Sequence, residues 1–244
     1  MLTNNNVLGG IDAHQHFWQY NESEYPWMGA GEEWTDLKRS FLPSDLKPLL
    51  DAASLAGCVA VQARQSEKET EWLLELADNN SCIKGVVGWV NLRDPAILAA
   101  QLSHFTSHHA FVGVRHVIHD EADPIAFIMD PSFRKGIESL SHYGLTYDLL
   151  IKPNQLRAAI DLVAAFPEQT FILDHLGNPN IAQGVMEPWL IDLTSLASFS
   201  NVFVKLSGMT TNAKWNAHYQ DDFAPYLNAV FNAFGPHREG ANVE

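Results

Sequence analysis

The chain has 244 residues, of which 46% are hydrophobic and 18% are charged, a balance typical of a globular protein with a sizeable core. It carries 15 lysines and arginines against 29 aspartates and glutamates, which gives a formal net charge of −14. Nucleic acids and anionic membranes bind basic surfaces, so this charge argues against both as partners.

The amino-terminal segment and the cysteines bear on the compartment. Met1–Asn6 has neither the basic start nor the apolar core of a secretory signal. No apolar run reaches the roughly 20 residues of a transmembrane helix. Cys58 and Cys82 are too few for a disulfide framework and lack the spacing of a metal site. We therefore expect a cytoplasmic protein with buried, reduced thiols.

The first predicted strand lies in the run from Ile11 to Trp18, which contains His14 and His16. Side chains two residues apart on a strand point to the same face. The two imidazoles are therefore spaced to bind one metal ion or to polarise one substrate oxygen. Taken alone, the motif is equally consistent with a strand whose polar positions happen to be histidine.

A polar and aromatic loop over residues 19–39 follows, and after it apolar runs alternate with helical segments. The apolar runs lack polar alternation, as expected for parallel strands that are buried on both faces. The predicted strands are Gly57–Arg64, Ile83–Val90, Phe111–Val117, Leu145–Ile151, Thr170–Leu176 and Val202–Leu206. The predicted helices are Pro43–Ala56, Glu67–Asn79, Ala96–Thr106, Pro131–Tyr143, Asn154–Phe166, Pro188–Phe199 and Asp221–Phe234.

Seven strands with helices between them predict one α/β domain over residues 1–244, a (β/α)₈ barrel of the TIM type that lacks its last βα unit. A doubly wound open sheet is the alternative fold. Such a sheet usually has a glycine-rich turn after its first strand, whereas this chain has His14-Gln15-His16-Phe17-Trp18 there. The barrel is therefore favoured.

Catalysis in such barrels takes place at the carboxyl ends of the strands. These ends are rich in polar groups, whose burial costs free energy unless they are paired or serve a site. Arg115 is expected to clamp a substrate through its planar fork of donors. Asp174 and Lys205 are either reacting groups or internal partners. The complete set comprises His14, His16, Gln62, Arg64, Trp89, Asn91, Arg115, His116, Tyr147, Asp148, Lys152, Asp174, His175, Lys205 and Ser207, with His119 and Asp120 just after the fourth strand.

Five motifs in this order carry a family resemblance. They are Ile11–Trp18, Tyr25–Trp27, Gly113–His116, Leu173–Gly177 and Lys205–Gly208. Together they extend from residue 11 to the region of residue 237. They resemble the sugar-acid lactonase group of the amidohydrolase superfamily, to which L-fuconolactonases and L-rhamnono-lactonases belong.

The resemblance implies hydrolysis of a neutral, small-molecule sugar lactone to an aldonic acid. It implies that His14, His16 and His175 are catalytic and surround the reacting carbonyl. They act either as ligands of one divalent metal such as zinc or, in metal-independent members, through direct hydrogen bonds. The substrate-binding residues implied are Tyr25, Trp27, Arg115, His116 and Asp148. The remaining histidines receive no role: His104, His108, His109, His119, His142, His218 and His237.

The end of the chain departs from the family pattern, which continues into an apolar strand ending in G-S-D-W-P, whose aspartate activates the water. This chain reads Glu239-Gly240-Ala241-Asn242-Val243-Glu244, which is polar and contains no aspartate. We therefore expect no eighth strand, a gap between the first and seventh strands, and impaired catalysis. Exposed strand edges favour a homo-oligomer. A non-catalytic remnant that binds a metal or sugar acid, and a related metal-dependent decarboxylase, are the alternative functions.

Overall fold

A computed structural model describes residues 9–214, 220–236 and 238–241. The expectations for Met1–Asn6, His218 and His237 lie outside these residues. The strands are β1 (Ile11–Gln15), β2 (Gly57–Val61), β3 (Ile83–Gly88), β4 (Phe111–Val117), β5 (Thr146–Leu150), β6 (Phe171–Leu173), β7 (Val202–Leu206) and β8 (Glu239–Ala241). The helices are α1 (Pro43–Ala52), α2 (Glu67–Asn79), α3 (Pro95–Phe105), α4 (Pro124–Met129), α5 (Pro131–Ser141), α6 (Leu156–Ala165), α7 (Trp189–Ala197) and α8 (Gln220–Phe234).

The strands form one parallel sheet in which each strand pairs with the next along the chain, from β1 to β8. The sheet curls until β8 approaches β1, and the helices lie between successive strands. The predicted TIM-type barrel is therefore confirmed. Within the part of the chain that the structure describes, no helix is long and apolar enough to cross a bilayer.

The strands are apolar because both of their faces are covered. Val114, Leu149, Phe171 and Val204 belong to four neighbouring strands, and each is completely buried. Full burial of such side chains stabilises the fold by about 1.5–3 kcal/mol each. The continuous apolar runs in the sequence reflect this two-sided burial.

Asp-Pro pairs begin three of the helices. Asp94, Asp123 and Asp130 are the N-caps of α3, α4 and α5, and each carboxylate accepts backbone N–H groups of the first helical turn. The proline that follows each aspartate occupies the first helical position, where no N–H is needed. The short helix α4 was not predicted from the sequence, although Asp123-Pro124 is its starting signal.

The expectation that no strand follows Arg238 is wrong for residues 239–241. Strand β8 pairs with β7 in parallel, with Glu239 opposite Val204, and the Val204 N–H donates to the Arg238 carbonyl at 3.1 Å. Parallel pairing is made by backbone groups, so a polar segment can form it without an apolar pattern. The expected gap beside β7 is therefore occupied by β8.

A second, smaller apolar cluster lies outside the barrel core. Trp18, Tyr25 and Met28 are its buried members, and Ala63 is the residue from beyond β2 that packs against it. We call residues 19–39 the aromatic segment. An antiparallel bridge between Trp18 and Phe41 closes the base of this segment.

Candidate active site at the carboxyl ends of the strands

The carboxyl ends of the strands bring together the three histidines that the sequence predicts as catalytic. His14 lies on β1, and His16 follows its last residue. His175 belongs to a tight turn directly after β6. The Nε2 atoms of His14 and His16 are 3.0 Å apart, and the ring centres of His14 and His175 are 4.4 Å apart. The three imidazoles thus form one group.

The Nδ1 atom of each imidazole faces a partner that orients the ring. His16 Nδ1 lies 2.8 Å from the Val61 carbonyl oxygen, which can only accept, so Nδ1 carries the proton and Nε2 carries a lone pair. His175 Nδ1 lies 2.7 Å from the Ser207 hydroxyl. His14 Nδ1 lies 3.4 Å from an Asp174 carboxylate oxygen. The Nε2 atoms of His14 and His16 thus face each other, and that of His14 also lies 3.2 Å from Arg115 Nη1.

Burial keeps the imidazoles neutral. It lowers the pKa of His16 to about 3, with a further contribution from the positive charge of Arg115. It lowers the pKa of His175 to about 4, and it takes the pKa of His14 well below its usual range despite the neighbouring Asp174. Neutral imidazole is the form that binds metals and accepts hydrogen bonds. Groups with such low pKa values are weak general bases at neutral pH.

The backbone around His175 adopts conformations and close contacts that restrict which residues fit there. His175 and Leu176 have φ values of 53° and 55°, in the left-handed region, so β6 ends at Leu173 rather than at the predicted Leu176. Gly208 has a φ of 65° and lies against the His175 ring. A Cβ atom at Gly208 would lie 2.6 Å from His175 Cγ, which is closer than real contacts allow. The motifs of β6 and β7 therefore pack directly on each other.

Four charged side chains lie beneath the histidines and are completely or almost completely buried. Asp174 pairs with Arg115 Nη1 at 3.1 Å through one oxygen and with Lys205 Nζ at 3.1 Å through the other. Lys205 also pairs with Asp148. Two positive and two negative groups thus make up a neutral set, which we call the charge cluster. Asp174 and Lys205 are ion-pair partners within it.

The pKa values of the two carboxyl groups in the charge cluster are shifted in opposite directions. Burial disfavours a charge on Asp174, but Lys205, His14 and Arg115 outweigh this effect and hold its pKa well below the usual range. Burial raises the pKa of Asp148 to about 6, although Lys205 counteracts part of this effect. Asp174 is therefore a permanent anion and a weak base.

A cavity of about 790 Å³ opens beside His16, the one of the three histidines that is among its described lining residues. His16 and Arg115 contribute to its lining from the barrel. Pro26, Trp27 and Trp34 line it from the aromatic segment, and the Trp27 and Trp34 rings meet edge to face at 5.9 Å. Trp27 remains 40% exposed, so part of its ring is free to contact a ligand.

The five residues predicted to bind substrate fall into two groups. Trp27 and Arg115 line the cavity. Tyr25 is 2% exposed and packs in the small apolar cluster. His116 has both nitrogens engaged, Nδ1 by the Trp89 indole at 3.2 Å and Nε2 by Glu121 at 2.6 Å. Asp148 belongs to the charge cluster, and neither it nor Tyr25 nor His116 is among the described residues that line the cavity.

The cavity lining includes residues for which the sequence predicts no ligand contact. The sequence indicates His119 and Asp120 only as polar groups just after the fourth strand, and it does not single out Trp34. His119 and Asp120 line the cavity from the turn after β4, and Trp34 lines it from the aromatic segment. For His119 a signal existed, because it follows a strand's carboxyl end by two residues, where barrel sites form. For Trp34 the sequence offered no spacing that relates it to a strand end.

Known proteins resemble the chain over nearly its whole length. An L-fucono-1,5-lactonase from Burkholderia multivorans is 38% identical over 237 residues, covering 93% of this chain and 79% of that protein. An L-fucono-1,5-lactonase from Burkholderia ambifaria is 33% identical over 228 residues, covering 93% and 77%. The crystal structure of an amidohydrolase from Burkholderia multivorans with bound zinc superposes with a TM-score of 0.87 at 37% identity, covering 96% of this chain and 84% of that one.

The family assignment rests on the same span of sequence. A family model described as amidohydrolase matches residues 11–238, a range that begins at β1 and ends next to β8. It includes the paired histidines of β1, the turn after β6 and the β7 motif described above. By fold, motif order and sequence identity, the chain belongs to the amidohydrolase family.

Proposed function

We propose that this chain hydrolyses a sugar-derived lactone of the L-fucono-1,5-lactone type to its aldonic acid. The observation that carries the proposal is the group of three neutral imidazoles beside Arg115, next to a cavity with an aromatic wall. The identity of 38% to an L-fucono-1,5-lactonase supports this choice of substrate class.

The cavity suits a neutral polyhydroxylated ring. Its volume of about 790 Å³ is in the range of small-molecule sites. The indoles of Trp27 and Trp34 offer apolar faces to the C–H groups of a sugar ring, while Asp120 offers a polar partner to its hydroxyls. We propose that Trp27 and Arg115 contact the substrate. We propose that Tyr25, His116 and Asp148 do not contact it and instead hold neighbouring side chains in place.

Arg115 is proposed to stabilise the developing negative charge. In lactone hydrolysis the oxygen of water bonds to the carbonyl carbon and gives up a proton to solvent, and negative charge collects on the carbonyl oxygen. The carbonyl then re-forms as the ring C–O bond breaks, and the departing ring oxygen takes up a proton from solvent. Arg115 Nη1 lies 3.2 Å from His14 Nε2 and is fixed by Asp174. A preorganised cation at this point stabilises the transition state without further reorganisation. The neutral imidazoles hold the attacking water or the carbonyl oxygen in place.

A zinc ion fits the donor set of this site. Ligand atoms of His14, Asp174 and His175 lie within 4.8 Å of one another. Nδ1 of His16 and of His175 is already hydrogen-bonded, which is the usual orientation of metal-binding histidines. We propose His14, His16 and His175 as the ligands, with Asp174 retained in the charge cluster. A bound zinc ion supplies Lewis acidity that polarises a carbonyl and lowers the pKa of water to about 7.

Zinc binding gives the first test. Chelator-treated protein titrated with zinc in a calorimeter is expected to bind about one ion per chain, because three imidazole ligands suffice for a zinc site. His16→Ala is expected to abolish binding, since it removes one ligand. His104→Ala, which changes an exposed histidine near Glu71, is the control and should bind as the wild type does. Zinc binding by His16→Ala equal to that of the wild type would contradict the ligand assignment.

Hydrolysis itself is tested with a panel of lactones. Acid release from L-fucono-1,5-lactone and L-rhamnono-lactone is followed with a pH indicator, beside unsubstituted δ-valerolactone. We expect turnover of the sugar lactones well above the spontaneous rate, with higher kcat/KM than for δ-valerolactone. Carbon dioxide release from 2,6-dihydroxybenzoate tests the decarboxylase alternative and is expected to be absent. Failure to hydrolyse any lactone, from protein with the native circular dichroism spectrum, would refute the proposal.

A further inference from the structure

Arg64 joins the aromatic segment to the barrel. It follows β2, lines the cavity, and its side chain is 20% exposed. Its Nη1 pairs with Glu24 at 2.8 Å, and its guanidinium lies over the Tyr25 ring at 4.9 Å. Both partners belong to the aromatic segment, close to Pro26 and Trp27 of the cavity wall.

The other side of Arg64 is anchored in the barrel. Arg64 Nε lies 3.4 Å from Glu69, whose side chain is completely buried at the start of α2. Glu69 also accepts the backbone N–H groups of Ala63 at 3.0 Å and of Arg64 at 2.7 Å. Glu69 therefore holds the backbone at Ala63 and Arg64 through two hydrogen bonds and lies beside Arg64 Nε, so that Arg64 is anchored at the barrel.

The contacts that hold the aromatic segment differ between its base and its tip. Its base is closed by the Trp18–Phe41 bridge, and Trp18 Nε1 donates to the Arg39 carbonyl at 2.7 Å. The buried cluster around Tyr25 is separate from the main core, and Ala63 is its described neighbour from the far side of β2. The tip with Glu24 and Tyr25 thus packs on Trp18, whose ring centre lies 6.4 Å from that of Tyr25, and on Ala63, and Arg64 adds the ion pair with Glu24.

We propose that Arg64 is the positioning residue that fixes the aromatic wall, and that it thereby sets the preference for polyhydroxylated lactones over unsubstituted ones. This inference rests on the proposed lactone hydrolysis. The imidazoles and Arg115 act on the lactone carbonyl, which all lactones share. Trp27 and Trp34 contact the substituted ring, so a displaced wall weakens sugar binding and leaves the chemical step unchanged.

Steady-state kinetics of Arg64→Ala test the proposal on two substrates. For L-fucono-1,5-lactone we expect KM to rise about tenfold or more and kcat to stay within about threefold, because tenfold corresponds to the loss of one good contact. For δ-valerolactone, kcat/KM should stay within about threefold. Arg64→Lys keeps the positive charge but loses the planar guanidinium and its stacking on Tyr25. Its KM should therefore lie between those of the wild type and Arg64→Ala. An equal loss on both substrates, or a fall in kcat alone, would overturn the proposal.

A matched control and a second readout separate positioning from general destabilisation. Arg93 pairs with Asp130 at 2.7 Å and lies over Phe127 at 5.2 Å, and is not among the described residues lining the cavity, so Arg93→Ala should keep wild-type kinetics. Chymotrypsin should cleave Arg64→Ala faster than the wild type after Trp27, which lies beside the Arg64 contacts in the aromatic segment, and Arg93→Ala should not change this rate.

Further variants cover the remaining outcomes. If Arg64→Ala does not fold, Glu24→Gln breaks the link to the segment and leaves the Arg64–Glu69 pair intact. Like Arg64→Ala, it should raise KM for the sugar lactone. If the wild type hydrolyses no lactone, the proposed function fails, while the chymotrypsin comparison still tests the support. Equal cleavage of wild type and Arg64→Ala would then refute it.

Discussion

His175→Asn is expected to lower kcat/KM for L-fucono-1,5-lactone by about 10³-fold or more, with the fold retained. The imidazole lies 4.4 Å from that of His14 and is oriented by Ser207, so its loss removes one third of the histidine group. Asparagine is the right replacement because residue 175 has a φ of 53°, and asparagine tolerates this left-handed conformation well. Initial rates of acid release at saturating and subsaturating substrate give the measurement.

The control for this substitution is His104→Asn, at a histidine whose side chain is 64% exposed. It should leave kcat/KM unchanged. Unfolding curves for both variants show whether the chains are equally folded under assay conditions. A folded His175→Asn variant with kcat/KM within about threefold of the wild type would remove His175 from the catalytic group.

Asp174→Asn is expected to lower the free energy of unfolding by about 3–5 kcal/mol. The side chain is completely buried and neutralises both Arg115 and Lys205, each within 3.1 Å. Asparagine keeps the shape but not the charge, so two buried cations would be left with Asp148 as their anion. Breaking a buried ion pair from one side is costly because an uncompensated charge stays in a medium of low dielectric constant.

Urea-induced unfolding followed by circular dichroism measures this loss. The matched control is Asp51→Asn, which breaks the exposed Lys47–Asp51 pair on α1, where both side chains are more than half exposed. That change should cost less than about 1 kcal/mol, because solvent screens exposed pairs. If the two variants lose similar stability, Asp174 is not the anion on which the charge cluster depends.

The barrel could be predicted because its strands are buried on both faces. Runs such as Phe111–Val117 need no polar alternation, and the predicted and observed limits of β4 are the same. The histidine group was also foreseeable, since strand order brings the carboxyl ends of β1 and β6 to the same end of the barrel. In contrast, the strand β8 could not be predicted from its side chains, because backbone pairing with β7 forms it.

The part of the cavity lining that comes from the aromatic segment was harder to predict than the part that comes from the strand ends. Tyr25 and Trp27 are two residues apart in an irregular segment, yet one is buried and the other is 40% exposed. Without a regular period, the sequence does not say which aromatic side chain faces inward. His116 and His119 show the same limit at the end of β4. His116 is engaged by Trp89 and Glu121, while His119 lines the cavity.

The charge cluster also has a consequence for how the chain selects one fold among near alternatives. Its members come from β4, β5, the turn after β6, and β7. Side chains alternate between faces along a strand, so a one-residue slip of β7 would turn Lys205 out of the barrel. Asp148 and Asp174 would then remain inside with Arg115 as their counter-charge. A barrel with β7 in the wrong register would therefore contain a buried net charge. The cost of that charge disfavours the shifted register relative to the native one.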